Sequence, residues 1–389
     1  MSTSSGENPS TIEAVKCSPP SHPRLSDPAL VSADDGDSVA DTERQVSPAV
    51  AMIAVCLNLG WQRPEVSWST ATFWAGPTRI LKRPNTGTLT LLFSSLMTGH
   101  GGDSNTTDRA PNDDKHLEAF DVAHQWLTMM LGNKLFIAPI NDNPQRILDI
   151  GTGTGIWAID VADEYPSAEV IGIDISPTQP TWVPPNLRFE IEDAQLDWTF
   201  TPESFDFIHI RYMYGAIDDW PKLYSQMYKF LKPGGWFQHL EPDVEMRSED
   251  PNLEIGEDHI FKQWAQVFYD AGDKLNRTFR VTKNMKSWAH DAGFTGVVHK
   301  KFKVPLTTWP KDKNLKQLGM YCGYYLDLSL DGFAIYPVGQ ILGWSVEEVQ
   351  VLVAKMRAAV RNPRNLGFAY HHVVYGQKPE VPPQDAPAE

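Results

Sequence analysis

Residues 146–157, with the sequence RILDIGTGTGIW, constrain the fold of this chain more strongly than any other segment. A short apolar run carries an acid near its end, Asp149, and is followed by alternate glycines, Gly151, Gly153 and Gly155. Glycine allows a sharp turn and lets a ligand lie against bare main chain, and the next helix offers free N–H groups at its start. The segment therefore predicts a strand, a tight turn and a helix. Together they would bind a ligand at the carboxyl end of the first strand of an open α/β sheet.

The spacing of these glycines bears on the kind of ligand. Dinucleotide-binding folds usually show Gly-x-Gly-x-x-Gly, with a phosphate at the helix N-terminus. Here the third glycine comes one residue early, and Asp149 would repel a pyrophosphate. A carboxylate suits a cationic ligand instead, such as S-adenosylmethionine with its amino group and sulfonium. The glycine spacing and Asp149 disfavour a nicotinamide-dependent oxidoreductase. Taken alone, this segment could also be a plain turn between strand and helix that binds no ligand.

The next two predicted strands also end in acidic residues. Residues 169–174 end at Asp174, a position whose carboxylate hydrogen-bonds ribose hydroxyls in nucleotide-binding βαβ units. Residues 187–191 are followed by Asp193, which is placed to accept a hydrogen bond from an adenine amino group. Since the carboxyl ends of parallel strands meet at one edge of a sheet, these acids predict a nucleoside site beside the glycine turn.

The rest of the chain alternates strands and helices with short loops, which predicts one parallel sheet. A helix is expected from Asn112 or Asp113 to about Leu131, with Phe120, Ala123 and Leu127 on one face. A fourth strand is predicted at 205–211, a tight turn at 231–237 leads into a fifth strand that reaches about Glu241, and further strands are predicted at 297–304 and 370–377. Further helices are predicted at 254–291, 313–328 and 345–361, the last opened by a capping box of Ser345 and Glu348.

At this point the chain resembles a known family. Residues 145–245 resemble the core of class I S-adenosylmethionine-dependent methyltransferases. A longer match, over about residues 108–379, resembles the fungal LaeA-like methyltransferases, which are linked to secondary metabolism and development. Its motifs are residues 109–113, 151–157, 174–180, 182–186, 218–221 and 374–379. The resemblance implies a three-layer, Rossmann-like class I methyltransferase α/β fold, with a mostly parallel seven-stranded sheet and helical insertions after the fifth strand.

The motifs define a candidate cofactor site for S-adenosyl-L-methionine. Its predicted cofactor-binding residues are Asp149, Gly151, Thr152, Gly153, Gly155, Asp174, Ile175, Asp193, Ala194 and Arg211. Methyl transfer from a sulfonium needs mainly proximity and orientation, and a base only where the acceptor must lose a proton. Candidates beside the acceptor follow the fourth and fifth strands: His209, Arg211, Tyr212, Tyr214, His239 and Glu241. His239 and Glu241 are the predicted catalytic pair, although Arg211 or Glu241 could instead hold the cofactor or order a loop. His371 and His372 have no further ligands nearby in sequence, so no metal is predicted.

Composition and local patterns give the expected organisation. Residues 1–47 are polar and acidic, which predicts a disordered tail; 48–107 form an irregular segment, 108–379 the methyltransferase domain and 380–389 a second tail. The net charge of −15 argues against direct nucleic-acid binding, and the basic run 300–303 is interpreted as a solvated strand edge. Three scattered cysteines and the lack of a secretory signal or a membrane-spanning run predict a cytoplasmic or nuclear protein away from membranes.

Two functional hypotheses share every cofactor residue. The first is an enzyme that methylates a small molecule in fungal secondary metabolism. The second is a LaeA-like nuclear regulator of secondary metabolism and development that acts through protein partners. The acidic N-terminal tail favours partner binding, whereas the helical insertions after the fifth strand could equally cover a small-molecule pocket. The sequence leaves both open.

Overall fold

The computed structural model describes residues 112–380, with side chains from Ala119 onward. The predicted tail at 1–47, the irregular segment at 48–107 and nearly all of the second predicted tail lie outside the described residues. Within the described part, seven strands form one sheet in the order β3-β2-β1-β4-β5-β7-β6. The strands are β1 Arg146–Ile150, β2 Glu169–Asp174, β3 Leu187–Ile191, β4 Phe205–Arg211, β5 Leu231–Ser248, β6 Thr295–Pro305 and β7 Gly367–Gln377.

Strands β1 to β5 pair in parallel, and β7 pairs antiparallel with both β5 and β6. The parallel strands are apolar along most of their length because helices cover such strands on both faces. In β1, Ile147, Leu148 and Ile150 are completely buried. The sheet thus confirms the predicted α/β class with a mostly parallel, seven-stranded sheet.

The helices of the described region are α1 Asn112–Met130, α2 Ile156–Glu164, α3 Trp220–Phe230, α4 Ile260–Leu275, α5 Met285–Asp291, α6 Lys313–Ala334 and α7 Val346–Arg361. Their starts follow from local side-chain chemistry. Asp219 caps α3 by accepting a hydrogen bond from the Lys222 amide, and Asp312 caps α6 in the same way. At α7, Ser345 and Glu348 form the predicted capping box.

The predicted helix at 254–291 is wrong in its extent. The chain forms α4, then a short 3₁₀ turn at Val281–Lys283, then α5. Asn276 ends α4 because it adopts a left-handed conformation, with φ of 55°, which stops helical hydrogen bonding. Helix α6 runs beyond the predicted 313–328 and continues as a π-helix at Ile335–Ile341. Helices α4 and α6 are the insertions expected after the fifth strand.

Edge strand β6 places the basic run 300–303 at the margin of the sheet, as predicted. Its lysine ammonium groups lie over aromatic rings of β7, as Lys301 does over Tyr370 at 3.6 Å from the ring centroid. Within residues 112–380, no helix combines the length and apolar character needed to cross a membrane.

Candidate functional site

The glycine turn after β1 is tied to the neighbouring strand. The amides of Gly151 and Thr152 both donate to the carbonyl oxygen of Ile173 in β2, at 2.9 and 3.0 Å. The Thr152 hydroxyl donates to Asp149 Oδ2 at 2.7 Å. Hydrogen bonds to β2 and to Asp149 therefore fix the turn.

The three glycines of the turn have left-handed φ values of 67°, 58° and 81°, but their surroundings differ. A Cβ on Gly151 would lie 2.3 Å from the Met213 sulfur, and one on Gly155 would lie 2.3 Å from Cζ of Phe189. These two glycines are required by packing. A Cβ on Gly153 would meet nothing within 4 Å, so Gly153 exposes bare backbone to open space.

Asp174 connects the glycine turn to the loop after β2. Its carboxylate accepts hydrogen bonds from the amides of Gly153 and Ser176, both at 2.9 Å. Burial raises the pKa of Asp174, and the two amide hydrogen bonds oppose that shift by favouring the carboxylate. From the same loop, Thr178 and Gln179 donate to the carbonyl oxygen of Gly153 at 2.9 and 2.7 Å. The N–H and the C=O of Gly153 are thus both fixed by side chains.

A cleft with about 1210 Å³ of empty space, including its open mouth, lies at the carboxyl ends of β1 to β4. Its lining includes eight of the predicted cofactor residues: Gly151, Thr152, Gly153, Asp174, Ile175, Asp193, Ala194 and Arg211. Phe120, Ala123 and Leu127 of α1 also line it, so the predicted apolar face of that helix closes over the cleft. A cleft at this edge of an open α/β sheet has the position of a small-molecule site.

Arg211 at the end of β4 brings a buried positive charge to the cleft. Its guanidinium donates to His124 Nδ1 at 3.3 Å, while His124 Nε2 donates to Asp160 at 2.9 Å. Burial lowers the pKa of His124, which keeps this ring neutral with the proton on Nε2. Among the described residues, no carboxylate lies within ion-pair distance of Arg211. Most of its N–H donors therefore remain for an anionic group in the cleft.

Asp149 and Gly155 do not line the cleft. Asp149 is only 2% exposed, and its second oxygen accepts from His209 Nδ1 at 2.8 Å. His209 stacks on Trp157 at 3.7 Å between ring centroids, and burial lowers its pKa to about 4. The structure therefore places Asp149 beneath the turn and His209 in the core, away from any ligand in the cleft.

The predicted catalytic pair also lies away from the cleft. His239 and Glu241 are completely buried, and His239 Nε2 lies 3.0 Å from Glu241 Oε1. The other ring nitrogen of His239 accepts from the Tyr224 hydroxyl at 2.8 Å. Glu241 accepts from the amides of Met213 and Tyr214, at 2.7 and 3.3 Å. These contacts hold the loop after β4 in place.

Tyr212, in the same loop, has an unusual backbone conformation. It is a bulky residue with a left-handed φ of 57°, a conformation that costs energy unless the surroundings enforce it. Its hydroxyl lies 2.9 Å from Nε2 of His371, a residue of β7 to which the sequence assigned no role. Arg277 and Tyr325 also line the cleft, from segments that carry no motif, so no sequence signal pointed to them.

A family model described as a methyltransferase domain matches residues 110–300. The methyltransferase pytC of Aspergillus terreus is 38% identical over 271 residues, which cover 69% of this chain and 82% of pytC. The secondary metabolism regulator LAE1 of Cochliobolus heterostrophus is 33% identical over 276 residues, covering 69% of this chain and 89% of LAE1. Among solved structures, geranyl diphosphate C-methyltransferase from Streptomyces coelicolor A3(2) gives a TM-score of 0.40 at 13% identity, covering 76% of this chain and 100% of that chain. At that score the structural likeness does not bear on substrate or mechanism.

Proposed function

Because this chain belongs to the LaeA-like family of S-adenosylmethionine-dependent methyltransferases, we propose that the cleft after β1 to β4 holds the cofactor and that the protein methylates a small molecule of fungal secondary metabolism. The observation that carries the cofactor assignment is Gly153. It lines the cleft, its φ is left-handed, and a Cβ there would project into empty space. The residues present therefore fit a ligand that lies against this backbone.

Three polar groups around Gly153 suit the parts of S-adenosylmethionine. Each Asp174 oxygen already accepts one amide hydrogen and keeps a lone pair for a ribose hydroxyl. Asp193 accepts from the Gln195 amide through Oδ1 at 3.0 Å, which leaves Oδ2 for an adenine amino group. Arg211 suits the carboxylate of the methionine part, since it lies in the cleft lining at the end of β4 and has no carboxylate partner among the described residues.

When bound, this cofactor supplies a methyl group that its sulfonium has already activated. The chain then has to orient the two reactants, which can lower the barrier of a bimolecular step by about 7–11 kcal/mol. The rigid Gly153 peptide, held by Thr178, Gln179 and Asp174, serves this purpose. Orienting the reactants does not require an exposed general base, and both residues of the predicted catalytic pair, His239 and Glu241, are buried.

Calorimetry with S-adenosylhomocysteine tests the cofactor assignment. We expect micromolar binding of S-adenosylhomocysteine and S-adenosylmethionine and no binding of NAD or NADP. Saturable binding of a nicotinamide dinucleotide without binding of S-adenosylhomocysteine would contradict the proposal.

A second candidate function is regulation through protein partners in the nucleus. The observation that favours it is the relation to LAE1, which is described as a secondary metabolism regulator. Incubation of the protein with host extract and methyl-labelled S-adenosylmethionine separates the two functions. A labelled small-molecule product supports the enzyme. For either function, the proposed location is the cytoplasm or nucleus, with no direct contact with nucleic acid or a membrane. Label confined to protein, or a stable protein complex without any labelled product, supports the regulator.

A further inference from the structure

A second cavity, with about 600 Å³ of empty space including its open mouth, lies next to the cofactor cleft. Its walls come from α1, from the inserted helices α4 and α6, and from the antiparallel part of the β5–β7 pair. Tyr212 and Tyr325 line both the cleft and this cavity. The two spaces therefore adjoin at these tyrosines, one over the parallel strands and the other under the insertions.

Two buried polar atoms of this second cavity have no hydrogen-bond partner among the described residues. They are Nε1 of Trp126, whose side chain is 0% exposed, and Nδ1 of His371, whose side chain is 4% exposed. A buried polar group without a partner is destabilising, and native proteins rarely keep one without a reason. The Trp126 and His371 rings meet edge to face, with centroids 5.0 Å apart, so these two side chains are neighbours in the cavity wall. A hydroxyl group of a bound molecule between them would give both atoms a hydrogen-bond partner.

The charges of the lining determine which molecules are compatible. Asp243 is the charged side chain among the described lining residues, and its carboxylate already binds Thr282 at 2.7 Å and Arg247 at 2.9 Å. His371 is neutral, because burial lowers its pKa to about 3. A charged guest would therefore lose its hydration without gaining a counter-charge, which is strongly unfavourable. An uncharged guest avoids this cost.

The aromatic rings of the lining determine the shape of guest molecule that fits the cavity. Trp126, Trp264, Phe268 and Phe333 line the cavity together with the two shared tyrosines. Such rings favour a flat guest that stacks or packs edge to face. The strained backbone of Tyr212 places one of these rings at the boundary with the cleft.

We propose that this second cavity binds the methyl acceptor, and that the acceptor is an uncharged, flat aromatic molecule with a hydroxyl group that pairs with Trp126 Nε1 and His371 Nδ1. The proposal rests on the function proposed above, because the cavity becomes an acceptor site only if the adjoining cleft holds the methyl donor. It deepens that function by naming the chemical class of the acceptor. The hydroxyl is the recognition group, accepting from the indole N–H.

Binding of 2-naphthol, measured by calorimetry with the full chain saturated with S-adenosylhomocysteine, tests this inference. The wild-type protein should bind the probe. Trp126→Phe keeps the ring but removes the indole N–H, and should weaken binding by about three- to tenfold. Trp220→Phe is the matched control, because Trp220 Nε1 is also buried and unpartnered but lines neither space. It should bind the probe like the wild type.

Ala369→Leu adds volume inside the cavity and should abolish probe binding. Titration of each variant with S-adenosylhomocysteine reports separately whether the fold and the cleft are retained. Lack of probe binding to the wild type saturated with S-adenosylhomocysteine, or equal effects of Trp126→Phe and Trp220→Phe, would overturn the proposal. If S-adenosylhomocysteine itself does not bind, the proposed function fails, whereas the probe results still decide whether the cavity takes an aromatic hydroxyl compound.

Discussion

Gly153 faces the cleft with bare backbone, and its substitution can test whether a ligand lies against that backbone. Gly153→Ala should reduce the affinity for S-adenosylhomocysteine by at least about tenfold, because the new methyl group would enter the ligand's space. The left-handed φ should separately lower the stability of the fold by roughly 1–2 kcal/mol. Isothermal titration calorimetry measures the change in affinity.

Gly296→Ala is the matched control for this variant. Gly296 has the same φ of 58°, and a Cβ there also meets nothing within 4 Å, but it lies in edge strand β6. Both variants should lose similar melting temperature, and only Gly153→Ala should lose affinity. Equal affinities for the two variants would place the ligand away from the glycine turn.

At the scale of elements, the loop after β4 depends on one buried carboxylate from β5. Glu241 holds the amides of Met213 and Tyr214, next to Tyr212 and Arg211, which line the cleft. We expect Glu241→Gln to lower the melting temperature and to weaken cofactor binding and turnover together, because an amide cannot accept from both loop amides and from His239. Thermal unfolding and calorimetry measure these effects.

A catalytic Glu241 would give a different pattern. Loss of a general base typically reduces turnover by 10²–10⁴-fold while cofactor affinity stays unchanged. Only this result, lower turnover with unchanged cofactor affinity, would support the predicted catalytic role of His239 and Glu241.

At the scale of the whole molecule, buried neutral histidines make stability depend on pH. The pKa of His209 is lowered to about 4 and that of His371 to about 3, both by burial, from the ordinary value of 6.5. The unfolded chain therefore binds more protons than the folded one below pH 6.5, so stability present above that pH is lost as the pH falls toward 4. At pH 5 the loss is on the order of 2 kcal/mol for each histidine.

Urea unfolding at pH 7 and pH 5 measures this dependence. His371→Gln should remove the part of the pH-dependent loss that His371 contributes, on the order of 2 kcal/mol at pH 5, whatever its effect on stability at pH 7. Burial also lowers the pKa of His124, which adds to the loss in the same direction. A stability that stays constant between pH 7 and pH 5 would contradict the neutral, buried state of these rings.

The N-terminal segment gives a second prediction at this scale. Residues 1–47 lie outside the described residues, and their polar, acidic composition predicts no contribution to a core. Their deletion should therefore leave the melting temperature and the affinity for S-adenosylhomocysteine unchanged. A truncated protein that melts several degrees lower, or that loses cofactor binding, would assign the segment a structural role.

The sequence alone determined the parts of the protein that depend on short-range chemistry. Glycine spacing predicted the turn at 151–155, and alternating apolar strands and helices predicted the α/β sheet, because backbone conformation and burial periodicity are local properties. Acids at strand ends predicted a nucleoside site, and Asp174 and Asp193 do line the cleft. Caps such as Ser345 with Glu348 were predictable for the same reason.

Tertiary structure decided which side chains face a ligand and which distant segments meet. Asp149 follows the same sequence logic as Asp174, yet Thr152 and His209 cover it, because its place in central strand β1 leaves it no solvent-facing side. The long antiparallel pairing of β5 with β7 carries His371 to Tyr212, residues 159 positions apart. No local pattern encodes such a contact, since the free energy that fixes it comes from packing between elements far apart in the chain.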